Sequence, residues 1–124
     1  MKKVIATPDA PKAVGPYSQA IEANGTLYIS GQIPVDPADG RIVEDITAAA
    51  HQSLKNIGAI LKEAGMTYDN VVKTTVLLAD IADFKAVNEV YAEYFTGDKP
   101  ARACYQAAAL PLGVKVEIEA IAVK

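Results

Sequence analysis

Lys115-Val116-Glu117-Ile118-Glu119-Ala120-Ile121-Ala122-Val123 reads as the last strand of the chain and decides its architecture. Successive side chains of a strand point to opposite faces. Val116, Ile118, Ala120 and Ala122 form one wholly apolar set, which must lie under a covering layer. The opposite set is Glu117, Glu119, Ile121 and Val123, acidic at one end and aliphatic at the other. One face of this strand is core, and the other is neither plainly core nor plainly surface.

The covering layer is found upstream. From Ile46 to Ala64, Ile46, Ala50, Leu54, Ile57, Leu61 and Ala64 recur at three- and four-residue steps, the stripe of an amphipathic helix. Asp45 can cap its start and Gly65 suits its end. A second helix, capped by Asp80 or Asp83 and running to about Phe95, has the stripe Phe84, Val87, Tyr91, Tyr94 and Phe95; Gly97 and Pro100 end it. The remaining elements read as strands: Lys3 to Ile5, Ser18 to Ala23, Leu27 to Ser30, Val71 to Leu78 and Ala101 to Ala107. Asn24-Gly25 joins two of them as a hairpin, and Gly31 to Arg41, with Pro34, Pro37 and Asp39-Gly40, reads as a loop. The order is β-β-β-α-β-α-β-β, a single α+β domain over residues 1–124. Each helix has one stripe to bury, so both cover one face of one sheet.

The other face then needs an account. The simplest parity puts Arg102, Cys104, Glu117, Ile121, Val123 and Ser30 on it, away from the helices. A face bearing Ile121 and Val123 suits a homo-oligomer packed through it. The alternative is a half-solvated sheet, ordinary for antiparallel strands.

The 124 residues fill one domain of ordinary size. Twelve Lys and Arg stand against fifteen Asp and Glu, a net charge of −3, so the basic field that draws nucleic acid is lacking. One cysteine and one histidine leave no disulfide and no Cys/His metal cluster. No apolar stretch reaches the ~18 residues of a membrane span, and Pro8, Asp9 and Pro11 break up the N-terminus, so the expected compartment is the cytoplasm.

Several residues could carry chemistry. Arg102, after Pro100-Ala101, offers a planar fork that matches a carboxylate; it could equally pair with Glu117 or Glu119. Glu117 and Glu119 share a face, where one can hold a raised pKa and act as a base, or both can form a solvated patch. Cys104 reads as a small buried hydrophobe rather than a nucleophile, and His51, off its helix's apolar stripe, as a surface residue. Asn88 sits on the second helix as a polar-face residue. Tyr17, after Gly15-Pro16, is displayed on a loop, as a ligand wall or as a plug for the core.

Four stretches together go further: Gly15-Pro16-Tyr17-Ser18-Gln19-Ala20, Ser30-Gly31-Gln32-Ile33-Pro34, Pro100-Ala101-Arg102-Ala103-Cys104, and Val116 to Ala122. With these in register, the chain closely resembles the Rid family, also called the YjgF family, and within it the RidA-type enamine/imine deaminases. The resemblance implies a chorismate-mutase-like fold and a homotrimer whose sheets form a central barrel with clefts between subunits. It implies that Arg102 binds a substrate carboxylate, that the amides of Gly31 and Cys104 support it, and that Glu117 positions water. Tyr17, Ser30 and Asn88 match the remaining cleft positions. Ala103 stands where a serine is common, and Tyr105 where an aliphatic is usual.

The activity implied is hydrolysis of 2-iminobutanoate and 2-iminopropanoate to 2-oxo acids and ammonia. It calls for no metal and no cofactor, and for no nucleic-acid or membrane partner. The rival readings are an endoribonuclease or translation inhibitor, and a non-catalytic trimer that binds small 2-oxo acids.

Overall fold

A computed structural model describes residues 1–124. Strands β1 (Lys3–Ile5), β2 (Ala20–Ala23) and β3 (Thr26–Gln32) precede helix α1 (Ile46–Glu63). Strand β4 (Val71–Leu78), helix α2 (Phe84–Tyr94) and strands β5 (Ala101–Gln106) and β6 (Val116–Val123) follow. One six-stranded sheet has the order β1-β2-β3-β6-β4-β5. All pairings are antiparallel except β4 with β5, whose parallel arrangement requires the crossover that α2 supplies.

Both helices lie on one face of this sheet, as the stripes require. Val116, Ile118, Ala120 and Ala122 are buried beneath them and join Leu27, Ile29, Val76 and Leu78 in one hydrophobic cluster. Leu54 and Ile57 of α1 are fully buried in it, each worth about 1.5–3 kcal/mol of transfer free energy. Asp45 caps α1 by accepting from the Ala48 amide at 3.0 Å. Gly65, at φ 75°, takes the left-handed conformation that ends the helix. Asn24 (φ 51°) and Gly25 (φ 77°) make the two-residue turn between β2 and β3.

The apolar stripes need amending. In α1 the buried band is wider and includes two polar residues, Ser53 and Asn56. Asn56 is tolerated because its amide donates to the carbonyls of Ile33 and Val35 (3.2 and 3.1 Å), pinning the loop after β3. In α2 the core residues are Val87, Val90 and Tyr91; Phe84 is exposed and serves elsewhere. Asp80 caps a short 3-10 turn, Ile81–Asp83, through the Ala82 amide, and Asp83 makes no side-chain cap. His51 is not a free surface residue: its Nδ1 hydrogen-bonds the Tyr94 hydroxyl at 2.7 Å, and its Nε2 lies 3.8 Å from Glu93.

Strand ends also shift. β2 begins at Ala20, leaving Ser18 in the preceding loop. β3 runs on through Gly31 to Gln32, because a bulge between Ile29 and Gln32 lets it keep pairing with β6.

The larger correction concerns parity. Thr74, Val76 and Leu78 of β4 face the helices, and in the β4–β5 ladder they stand beside Arg102, Cys104 and Gln106. Arg102 and Cys104 therefore lie on the helix side of the sheet, not on the open face. Arg102, on an edge strand, reaches past the core to α2, where a polar head can be accommodated, whereas Cys104 packs against the core. The open face carries Tyr28 and Ser30 of β3, Glu117, Glu119, Ile121 and Val123 of β6, Lys73, Thr75 and Leu77 of β4, and Ala103 and Tyr105 of β5. Within this chain no helix covers it, and Tyr28, Tyr105 and Val123 are 50%, 53% and 40% exposed. No helix is long and apolar enough to cross a membrane.

Candidate functional site

Arg102 projects from β5 against one face of α2. Its Nη1 donates to Asn88 Oδ1 at 2.7 Å. Its guanidinium carbon lies 4.8 Å from the centre of the Tyr91 ring and 5.5 Å from that of Phe84. Phe84, Asn88 and Tyr91 are spaced i, i+4 and i+7, so a single helix stripe builds the whole cradle. Arg102 makes no ion pair within the chain. Glu117 and Glu119, its expected ion-pair partners, are on the other face of the sheet. Its remaining N–H donors make no hydrogen bond within the chain.

Cys104 follows two residues later on the same side, half-buried against the core. Burial raises its pKa, with the Arg102 charge pulling the other way. The thiol form is favoured, and the side chain behaves as a hydrophobe rather than a nucleophile.

Glu117 belongs to a second group. Gly31 lies against it so closely that a Cβ there would run into the Glu117 carboxylate. The missing side chain seats the acid on the β3 backbone. Burial raises the pKa of Glu117, and the charge of Glu119 on the same face adds to that. Such a carboxylate is a better proton acceptor than an exposed one.

Ser30, beside Gly31, ties β3 to the loop that carries Tyr17. Its hydroxyl donates to the Ser18 carbonyl at 2.6 Å, and its amide to the Gln19 carbonyl at 2.9 Å. Gln19 is buried and anchors that loop from within. Its Oε1 accepts from the Thr7 amide (2.7 Å), and its Nε2 donates to the carbonyls of Thr7, Ala10 and Pro11 (3.1, 3.3 and 2.8 Å). Tyr17 is 51% exposed, so it is no core plug. It shares with Gly31 a cleft of about 400 Å³ that Lys12, Ile33 and Leu112 also line. Leu112 is 73% exposed and holds φ 58°, a conformation uncommon for a branched side chain. A roomier cavity of about 580 Å³ lies along the N-terminal segment, lined by Val4, Ala6, Pro8 and Pro37 among others. Lys12 is its one charged side chain, and no carboxylate or histidine lines it.

The candidate residues thus fall into two sets: Asn88, Arg102 and Cys104 at the rim of α2, and Tyr17, Ser30, Gly31 and Glu117 around the end of β3. Phe84, Tyr91 and Gln19 complete these sets and were not singled out from the sequence. Phe84 passes for a core position of α2 and Tyr91 is one; their spacing about Asn88 is the signal that marks the cradle. Gln19 is marked only by being a polar residue inside the Gly15-to-Ala20 stretch. No three His, Cys, Asp or Glu side chains gather as a metal site would need.

The profile of the family described as endoribonuclease L-PSP matches residues 7–124. A Mus musculus protein named 2-iminobutanoate/2-iminopropanoate deaminase is 58% identical, covering all of this chain and 93% of its own length. A solved Yersinia pestis structure, described as a protein of unknown function of the conserved Rid family, superposes with a TM-score of 0.98 at 52% identity, covering all of both chains. The E. coli protein TdcF, solved with bound serine, superposes with a TM-score of 0.96 at 44% identity over 98% of each chain. The four motifs, the sheet order and these full-length similarities agree: the chain belongs to the Rid/YjgF family.

Proposed function

We propose that this chain is a cytoplasmic hydrolytic deaminase. It converts 2-imino acids such as 2-iminobutanoate and 2-iminopropanoate to 2-oxo acids and ammonia, without metal or cofactor, at sites formed between the subunits of a homotrimer. The observation that carries the reading is Arg102, cradled by α2 and without a carboxylate partner in its own chain. Support comes from full-length relatives named as deaminases of these imines, and from the small amino acid held by TdcF.

The chemistry follows from the two sets of residues. Arg102 takes the substrate carboxylate, with the amides of Gly31 and Cys104 as further donors, and Tyr17, Ser30 and Asn88 shape the cleft. Glu117 accepts a proton from water as the water oxygen bonds to the C=N carbon. It returns that proton to nitrogen, then relays the new hydroxyl's proton as the C–N bond breaks and ammonia leaves. Holding water and imine together supplies most of the gain for an intermediate that also hydrolyses unaided. The two sets lie on opposite faces of one sheet, so the site needs a second copy, and the apolar open face supplies a surface for assembly.

The test is an assay coupled to a pyridoxal-phosphate dehydratase that releases 2-iminobutanoate, following 2-oxobutanoate with and without this protein. Wild type should accelerate its formation. Arg102→Lys keeps the charge but loses the fork, and should cost roughly 30- to several-thousand-fold. No acceleration, with 2-oxobutanoate still bound, would make the protein a binder. The ribonuclease reading, which the family's description favours, predicts RNA cleavage by the same preparation. The net charge of −3 and a lone histidine bonded to Tyr94 weigh against it.

A further inference from the structure

We propose that Tyr91, pinned by Thr74, is a positioning residue that sets the orientation of Arg102. Thr74 and Arg102 are register partners in the β4–β5 ladder, so their side chains stand side by side on the helix face. Tyr91 comes down from α2 onto both. Its hydroxyl shares a 2.7 Å hydrogen bond with Thr74 Oγ1, and its ring lies under the guanidinium at 4.8 Å. Thr74 is 1% exposed, and both members of the hydrogen bond are buried. Phe95 packs on Tyr91 with ring centres 4.5 Å apart. The ring is therefore fixed at its hydroxyl and along one side.

A guanidinium keeps its planar fork, but on a long flexible stem the orientation of that plane is free unless something fixes it. Asn88 holds one nitrogen, which alone allows the plane to swing about that contact. The Tyr91 face and the half-open Phe84 ring remove that freedom by cation–π attraction. The hydroxyl of Tyr91 thus acts on the carboxylate site at second hand: Thr74 holds the ring, and the ring holds the fork. Burial raises the pKa of Tyr91, so the phenol keeps the proton that the hydrogen bond uses.

This inference rests on the proposed carboxylate site, and its test separates the two. The chain has two arginines, Arg41 and Arg102, so the Nε–H resonance of Arg102 can be assigned in the ligand-free protein from an Arg41→Lys sample. Tyr91→Phe and Thr74→Val should each move that resonance toward the position of the exposed Arg41. Each should weaken 2-oxobutanoate binding about 3–10-fold, the scale of one buried hydrogen bond. The double variant should be no worse than either single variant, and kcat at saturating imine should change less than twofold. Phe84→Leu, at an exposed position that cannot unfold the core, should move the resonance in the same direction by less. Additive losses in the double variant would overturn the relay. Lower melting temperatures with an unmoved resonance and unchanged binding would reduce Tyr91 to a packing residue. If wild type neither binds 2-oxobutanoate nor hydrolyses imine, the deaminase reading fails, and the Arg102 resonance alone still decides whether Tyr91 positions it.

Discussion

Arg102 and Glu117 point to opposite faces of the same sheet, with β4 between their strands. No rotamer change brings them together inside one chain. A site that uses both draws them from two copies.

That relationship predicts complementation. Arg102→Lys and Glu117→Gln proteins should each be nearly inactive. Unfolded together in equal amounts and refolded, they should regain about a quarter of wild-type imine hydrolysis, because random assembly pairs an intact arginine with an intact glutamate at one interface in four. Activity no greater than the sum of the two parents, in a refolded mixture of native assembly state, would mean that Arg102 and Glu117 do not act together at one site.

Two glycines make opposite predictions. A Cβ at Gly31 meets the Glu117 carboxylate, whereas one at Gly58 meets the Tyr68 hydroxyl beneath α1. Gly31→Ala should displace the base and lower turnover roughly 10- to 100-fold, with thermal stability little changed. Gly58→Ala should cost about 1–3 kcal/mol by overpacking and leave turnover of the folded fraction intact. Urea unfolding and the coupled assay on both variants check this; equal turnover in wild type and Gly31→Ala would detach Gly31 from the site.

What could be read without coordinates was periodicity. The alternation of Val116 to Val123 and the α1 stripe specify a sheet with helices on one side, and the structure has both. What could not be read was the phase of one strand against another. A strand's pattern has period two, so a shift of one residue inverts its faces. β5, with Arg102, Cys104 and Gln106 on one side and Ala101, Ala103 and Tyr105 on the other, lacks the apolar contrast that would choose between them. It is an edge strand that contributes little to the core, so its sequence does not choose a face. Strand alternation puts Ala103 and Tyr105 on the opposite face from Arg102. Phe84 and Tyr91 are hidden by their chemistry: exposed Phe84 looks in sequence like a ring that fills a core, and Tyr91 fills the core while also cradling the cation.

The open face predicts an assembly defect. Val123 stands at the exposed end of β6, paired with Thr26 and in a row with Ile121, whose own partner across the ladder is Tyr28. Val123→Asp should dissociate or unfold the proposed trimer, since an unpaired charge buried at an interface costs about 3–5 kcal/mol. Sedimentation velocity at micromolar concentration measures it. A stable wild-type monomer would remove both the interface and the shared site.

The last prediction concerns pH and sets stability against activity at Glu117. Burial, helped by Glu119, raises its pKa in the folded chain. Between the unfolded and folded values the native state binds the extra proton, so stability falls as pH rises through that window and stays lower above it. Glu117→Gln has no charge to bury. It should therefore melt at a higher temperature than wild type at pH 7, and the difference should close as pH drops below the ordinary glutamate range. Activity runs the other way, because the base works only when ionised. The acidic limb of the kcat/KM profile should lie above the usual carboxylate range. Glu119→Gln removes the neighbouring charge, so it should shift that limb to lower pH while leaving turnover at neutral pH nearly unchanged. A limb at ordinary carboxylate pH, unmoved by Glu119→Gln, together with no gain in melting temperature for Glu117→Gln, would mean that this carboxylate is neither buried nor coupled in the working protein, and that water is positioned by another group.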